Sequence, residues 1–208
     1  MGLRELKKRQ TRTLLADTAM GLFVERGFDQ VTVVEVARAA GVSTNTVFNY
    51  FPTKEDLFFD RQDEVVARLA TVVRERPAGS SAVDAVRADL LAGLTEGEPT
   101  YGLNAGAIAF WRVVAESPAL RARLLELGER SDAALAEALA EEAGADPGDP
   151  LPRILAGALA GAHRAVIAEI RRGIVAGEPA GAVRARVETA AAAAFDLLRG
   201  GLADYPKR

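Results

Sequence analysis

The chain has 208 residues, 49% apolar and 26% charged, with a formal net charge of −3, a composition that suits a globular protein with ample core. It has no cysteine and a single histidine, which excludes disulfides and thiolate metal sites and leaves little for acid–base or histidine-ligated metal chemistry. No Gly-rich phosphate loop follows a strand. An enzyme is therefore not expected, and neither is a cofactor.

In chain order, residues 11–26 carry Leu15, Ala19, Leu22 and Phe23 at helical spacing. Gly27-Phe28 closes this helix, with Phe28 expected to fold back onto the core. Val31-Thr32-Val33-Val34-Glu35 reads as a capping box, in which Thr32 and Glu35 satisfy each other's backbone amides. The helix it opens, over residues 33–40, ends at Gly41, suited to a left-handed C-terminal cap. Ser43 then caps a second short helix by accepting from the amide of Thr46. Val47 and Phe51, four apart, face the core, while Thr44, Asn45, Phe48 and Asn49 stay outside. Pro52 stops it. Thr53 recaps the chain, with Glu55 and Asp56 in the first turn, where the helix dipole favours negative charge. Helix, glycine turn and a sharply bounded second helix bearing amides and hydroxyls form a helix-turn-helix suited to a DNA groove.

The remaining segments are also helical, and all nine prolines fall where helices should break. Helices are expected over residues 53–76, 81–94, 103–116, 118–143, 151–175 and 179–202, with loops at 97–102 and 144–150. The expected fold is all-α, about nine helices, without internal repeats. The division is residues 1–52, a DNA-binding domain, and 53–208, a ligand-binding and dimerisation domain. The N-terminus has no apolar leader, and the stretches 154–168 and 190–198 are too short, or too interrupted by His163, Arg164 and Asp196, to span a bilayer. A cytoplasmic location is expected, with no membrane partner. Charge is partitioned to match: residues 1–54 hold eight Lys/Arg against five Asp/Glu, while the remainder holds eighteen against twenty-four.

Gly27-Phe28, Thr32-Val33, Val36-Ala37, Gly41-Val42-Ser43 and Thr46-Val47-Phe48-Asn49-Tyr50-Phe51 with Lys54-Glu55-Asp56-Leu57 together resemble the DNA-binding domain of TetR-family (tetracycline-repressor-like) transcriptional regulators. The resemblance covers residues 8–57 in spacing as well as residue type. Asn45 stands where the family often has Gly, and Phe48 where Tyr is commoner. The resemblance implies phosphate contacts from Thr32, Thr44, Tyr50 and Lys54 and base-facing roles for Asn45, Phe48 and Asn49, with Ser43 and Thr46 in the same interface. It also implies a homodimer on double-stranded operator DNA, acting as a repressor released by a small apolar effector. The alternative reading is a helical ligand- or protein-binding module, or an activator, without ligand-gated repression.

The last two helices are rich in small residues, including Gly157 and Gly161, and residues 183, 187, 190, 191, 194, 198 and 202 form an apolar stripe. A four-helix dimer interface through residues 151–202 is expected from the family resemblance, and ordinary intramolecular packing is the alternative. Phe58, Phe59, Tyr101, Phe110, Trp111 and His163 are candidates to line an effector pocket, because aromatic residues outside the DNA-binding part are scarce and concentrated there. For each of them taken singly, core packing is the commoner role. Residues 109–123 are similar to the ligand domains of TetR-family members related to the mycofactocin regulator, which implies acyl-CoA-type effectors. Arg112, Arg121, Arg123 and Arg130 would then meet ligand phosphates, or else form a solvated face.

Overall fold

A computed structural model of the chain describes residues 2–104 and 106–202. Among the described residues there is no strand. The helices are α1 (Leu3–Arg26), α2 (Val33–Ala39), α3 (Thr44–Tyr50), α4 (Lys54–Phe58), α5 (Gln62–Arg74), α6 (Ala82–Glu96), α7 (Ala107–Glu116), α8 (Pro118–Ala143), α9 (Leu151–Val175) and α10 (Ala180–Leu202), with a 3-10 turn at Pro99–Tyr101. The all-α class is as expected; no helix among the described residues is long and apolar enough to cross a membrane.

Two differences from the expected elements have physical causes. Helix α1 starts at Leu3 rather than residue 11, because Arg4 to Gln10 are all residues that favour helix and none is Gly or Pro. The continuous helix expected over residues 53–76 is instead α4 and α5, separated at Phe59, whose φ of −98° and ψ of 55° leave the helical region. Phe58 and Phe59 are both buried, yet neighbours on one helix point about 100° apart. The break lets both rings reach Phe110, at 4.7 and 6.0 Å between centroids.

The chain forms two compact units. The first comprises Met1–Asp63 with Ala109–Leu125, and the second Glu64–Ile108 with Glu126–Arg208. Helix α4 and residues 109–125 thus belong to the same unit as the helix-turn-helix, where the sequence division had been placed after residue 52. The core of the first unit is made by Leu15, Ala19 and Phe23 of α1, Val36 of α2, Val47 of α3 and the flanking Phe28, Phe51 and Phe58. Phe28 does fold back, its ring 5.0 Å from that of Phe23. In the second unit α6, α9 and α10 pack together, with Leu90, Leu94, Leu159, Ile170, Val187 and Phe195 buried.

The apolar stripe of α10 faces this interior. Val183, Val187 and Ala191 are buried against their own chain. Helix α9 approaches α10 closely at Gly173, where a Cβ would stand 2.6 Å from Val183 Cγ2. Gly157 meets nothing within 4 Å of the position a Cβ would take, so it makes no close approach inside the chain. The side chain of Leu202 lies outside the described residues. What α9 and α10 leave uncovered is another row, which shares only Ala190 with the stripe: Ile154 is 63% exposed and Leu197 83%, with Ala158, Ala165, Ala190 and Ala193 exposed at helical intervals beside them.

Candidate nucleic-acid interface and effector-site residues

The helix-turn-helix is held by local bonds that the sequence pattern anticipates. Thr32 Oγ1 accepts from Glu35 N at 3.3 Å, and Thr32 N donates to Glu35 Oε2 at 2.9 Å. Glu35 also takes a 2.7 Å bond from Arg26. The Thr32 backbone bond, followed by the Arg26 and Thr32 side-chain bonds, draws its carboxyl down from 4.5 to about 2. Gly41 makes the turn with a φ of 70°, and Val42 N returns to Ala37 O at 3.0 Å. Ser43 caps α3 by accepting from Thr46 N at 3.0 Å, and the two hydroxyls lie 2.8 Å apart.

Helix α3 buries Val47 and turns Asn45, Phe48 and Asn49 outward on one face, Phe48 being 47% exposed. A phenylalanine ring so exposed on a seven-residue helix has no role in the core of its own unit. Thr44 and Tyr50 flank this face, half-buried. Ser43 and Thr46 are engaged with each other, and the Thr32 hydroxyl donates to Glu35 at 2.8 Å, so the structure shows all three in capping.

Lys54 is more committed than the sequence suggests. Its ammonium donates to Phe28 O at 3.0 Å and to Val31 O at 3.1 Å, and lies 4.1 Å from the centre of the Phe28 ring. It thereby ties α4 to the loop between α1 and α2, and two of its three N–H groups are used. Three further contacts were not foreseen. Arg12 donates to Tyr50 O at 3.0 Å and to Asp60 O at 2.8 Å and covers the Phe51 ring at 4.3 Å, so one guanidinium closes the end of α3 and holds the α4–α5 break. Asp56, the N3 member of the α4 capping box, accepts from Gln62 at 2.7 Å and from Arg123 at 2.9 Å. Burial opposes its charge, but the bonds from Gln62 and Thr53 and the nearby Arg123 hold the carboxyl below the usual range. Ser117 Oγ donates to Asp29 at 2.9 Å. No sequence motif marks Arg12 or Arg123, because their partners are backbone carbonyls or side chains distant in sequence.

The six expected effector residues fall into two groups. Phe58, Phe59, Phe110 and Trp111 form an aromatic cluster inside the first unit, with the Phe110 and Trp111 rings 5.0 Å apart. Tyr101 and His163 lie in the second unit, their rings 5.7 Å apart and edge-on. Of the arginines considered for ligand phosphates, Arg123 is occupied by Asp56 and Gln62, and Arg121 donates to Ala115 O.

Around Tyr101 the second unit builds a charged cluster. Arg68 grips Asp89 with two bonds of 2.8 and 3.0 Å and reaches Glu98 at 3.3 Å. Tyr101 Oη donates to Asp89 at 3.2 Å, and its ring lies under the Arg68 guanidinium at 4.9 Å. Gly93 fixes that ring, since a Cβ there would stand 2.5 Å from Tyr101 Cε2. Burial, helped by the Asp89 charge, pushes the Tyr101 phenol well above its ordinary range. The ring of His163 is half-buried, and its Nε2 is sealed from solvent with no partner among the described residues. Burial lowers its pKa from 6.5 to about 4 against the opposing pull of Asp89. The imidazole is therefore neutral at pH 7.

Residues 15–60 match the family of bacterial regulatory proteins, tetR family, and residues 80–202 match the MftR C-terminal domain. This chain belongs to the TetR family. It is 29% identical over 172 residues to the HTH-type transcriptional regulator TcmR of Streptomyces glaucescens, covering 81% of this chain and 76% of that one. It is 30% identical to the HTH-type transcriptional regulator BetI of Burkholderia mallei, covering 86% and 87%. The fold is also that of NalD, the secondary repressor of the MexAB-OprM multidrug efflux pump in Pseudomonas aeruginosa, with a TM-score of 0.56, 18% identity, and coverage of 90% and 97%. The protein is a TetR-family DNA-binding transcriptional regulator.

Proposed function

We propose that this TetR-family regulator is a homodimeric repressor that reads a palindromic operator through α3 and leaves it when a small, largely apolar effector enters the second unit. The outward row of Asn45, Phe48 and Asn49 on a helix capped at its start by Ser43 and closed at its end by Arg12 carries the DNA part. Asparagine pairs bidentately with adenine, and a phenyl ring packs on a thymine methyl. Thr44, Tyr50 and the remaining N–H of Lys54 supply phosphate contacts, which position the protein without choosing sequence. Asn49→Ala is expected to flatten preference at one base position, costing about 1–3 kcal/mol there. Binding to a set of operator point variants checks this, and a uniform loss at all positions contradicts it.

The dimer is proposed through residues 151–202, by the exposed row of α9 and α10 rather than the buried stripe. Two-fold symmetry then sets half-sites one turn of DNA apart, about 10 base pairs, or a multiple of it.

For the effector, the supporting feature is the cluster of Arg68, Asp89, Glu98, Tyr101 and His163, a place where a neutral hydrogen-bonding group on an apolar molecule meets the unpartnered His163 Nε2. Acyl-CoAs, fatty acids and hydrophobic drugs are the compounds to screen. His163 is the only histidine of the chain, so its imidazole proton resonance reports this site without assignment. An effector should move that resonance and also weaken operator binding; operator should weaken effector binding by the same factor. In the free protein the resonance is expected to titrate near pH 4. Because the folded pKa lies below the unfolded one, unfolded chains take the proton first, and this contribution to stability falls as pH drops from about 6.5 to about 4. A midpoint near 6.5 would place the imidazole in solvent and remove it from the effector site.

A further inference from the structure

Helix α1 begins at Leu3, well before residue 15, where the family match starts and where the first fully buried side chain, Leu15, enters the core. The turns before that point carry Arg4, Lys7, Lys8 and Arg9 against one acid, Glu5, all of them exposed. Arg4, Lys7 and Lys8 form no ion pair among the described residues. Positive charge in the first turns opposes the helix dipole, and Gly2 supplies no side-chain cap. The sequence thus places basic residues where they weaken their own helix, with Glu5 the one acid in the first turn and, among the described residues, no ion pair for Arg4, Lys7 or Lys8. A local preference broken in this way marks a functional surface.

The position of these turns is fixed by Arg12, which holds the carbonyl of Tyr50, the last residue of the recognition helix. Lys8 lies one turn before Arg12 and Arg4 two turns before. At about 1.5 Å per residue, Arg4 stands about 12 Å along the α1 axis from Arg12. The basic turns therefore lie within about 12 Å, along α1, of the residue that holds the end of α3. Through Arg12 this part of α1 is tied to the C-terminal end of α3.

We propose that the first turns of α1 bind the phosphate backbone of duplex DNA beyond the half-site read by α3, through Arg4, Lys7 and Lys8. This rests on the DNA-binding role of α3. These residues supply charge and no base-edge contact, so they extend the footprint and strengthen binding without altering sequence choice.

The test uses the full chain, the Arg4→Gln/Lys7→Gln/Lys8→Gln variant, and the single variant Lys8→Gln. The wild-type protein selects its duplex from a random pool, and this duplex is prepared with and without ten flanking base pairs at each end. On the long duplex the triple variant is expected to bind with a shallower salt dependence, by about 2–3 in log–log slope per protomer, and Lys8→Gln by about 0.9. On the short duplex all three proteins should bind alike, and base preferences should be unchanged. Far-UV circular dichroism is expected to show the helix retained, since the substitutions relieve charge at its start. Equal slopes on the long duplex overturn the proposal, as does an equal loss on the short one. So does binding of wild type but not variant to vesicles of phosphatidylglycerol and phosphatidylcholine with DNA slopes unchanged, which assigns the patch to an anionic membrane. A wild-type protein that selects no sequence from the pool would instead strike at the role of α3.

Discussion

Replacing Ile154 and Leu197 together by glutamate is expected to leave a folded protein that sediments as a monomer and binds its operator 100- to 10,000-fold more weakly. Both side chains are mostly in solvent within a single chain, so neither substitution opens a cavity. Each apolar side chain buried at an interface contributes about 1.5–3 kcal/mol, and a glutamate in its place would bury an unpaired charge. The loss on DNA follows from avidity, because a second recognition helix held at the right spacing binds in an effectively intramolecular step, worth about two to four orders of magnitude. Val187→Glu is the informative contrast. It lies in the stripe that packs within the chain, so it should unfold the second unit rather than dissociate it. A double variant at 154 and 197 that stays dimeric, by sedimentation equilibrium, would move the interface elsewhere.

Lys54→Met is expected to lower the melting temperature by about 4–10 °C and, well below that temperature, to weaken binding to all operator sequences alike. Methionine keeps the stem and removes the ammonium, so the carbonyl of Val31 loses its 3.1 Å donor and that of Phe28 keeps only Val31 N, at 3.3 Å. Two bonds to a charged group and a cation–π contact amount to about 2–3 kcal/mol here, which for a chain of this size is a shift of that order in melting temperature. The DNA effect is separate. One N–H remains for a phosphate, and its removal should reduce the salt slope by about one. Stability lost with an unchanged slope would make Lys54 a structural tie alone; a changed sequence preference would contradict both roles.

The helix-turn-helix was legible because its signals are local. A capping box at Thr32 and Glu35, a glycine turn at residue 41, a cap at Ser43 and a stop at Pro52 each depend on residues within four positions. The same holds for the cap at Thr53, which accepts the expected bond. What could not be read depends on partners far along the chain. The break after Phe58 follows from the need to bury two adjacent rings against Phe110, and helical periodicity over residues 53–76 carries no sign of that. The stripe on α10 was correctly apolar, but its facing is decided by which neighbour reaches it first, here α6 and α9. The effector residues were chosen for being aromatic, and the structure separates Phe58, Phe59, Phe110 and Trp111 from Tyr101 and His163. Arg68 and Asp89, the charged pair beside Tyr101, carry no sequence signal, because an arginine and an aspartate twenty-one positions apart look like ordinary surface.

Arg12 gives the first unit a shared latch. The same guanidinium closes α3 at Tyr50 and spans to Asp60 in the gap between α4 and α5, so a shift of either is passed to the other through one side chain. Opening the gap would pull on the cation at the end of α3, and a seven-residue helix has little length to spare for fraying. Control of DNA binding then does not require a rigid body to swing through a large arc. A displacement small enough to break one side chain's grip would then be felt at the end of α3, the helix proposed to read the operator.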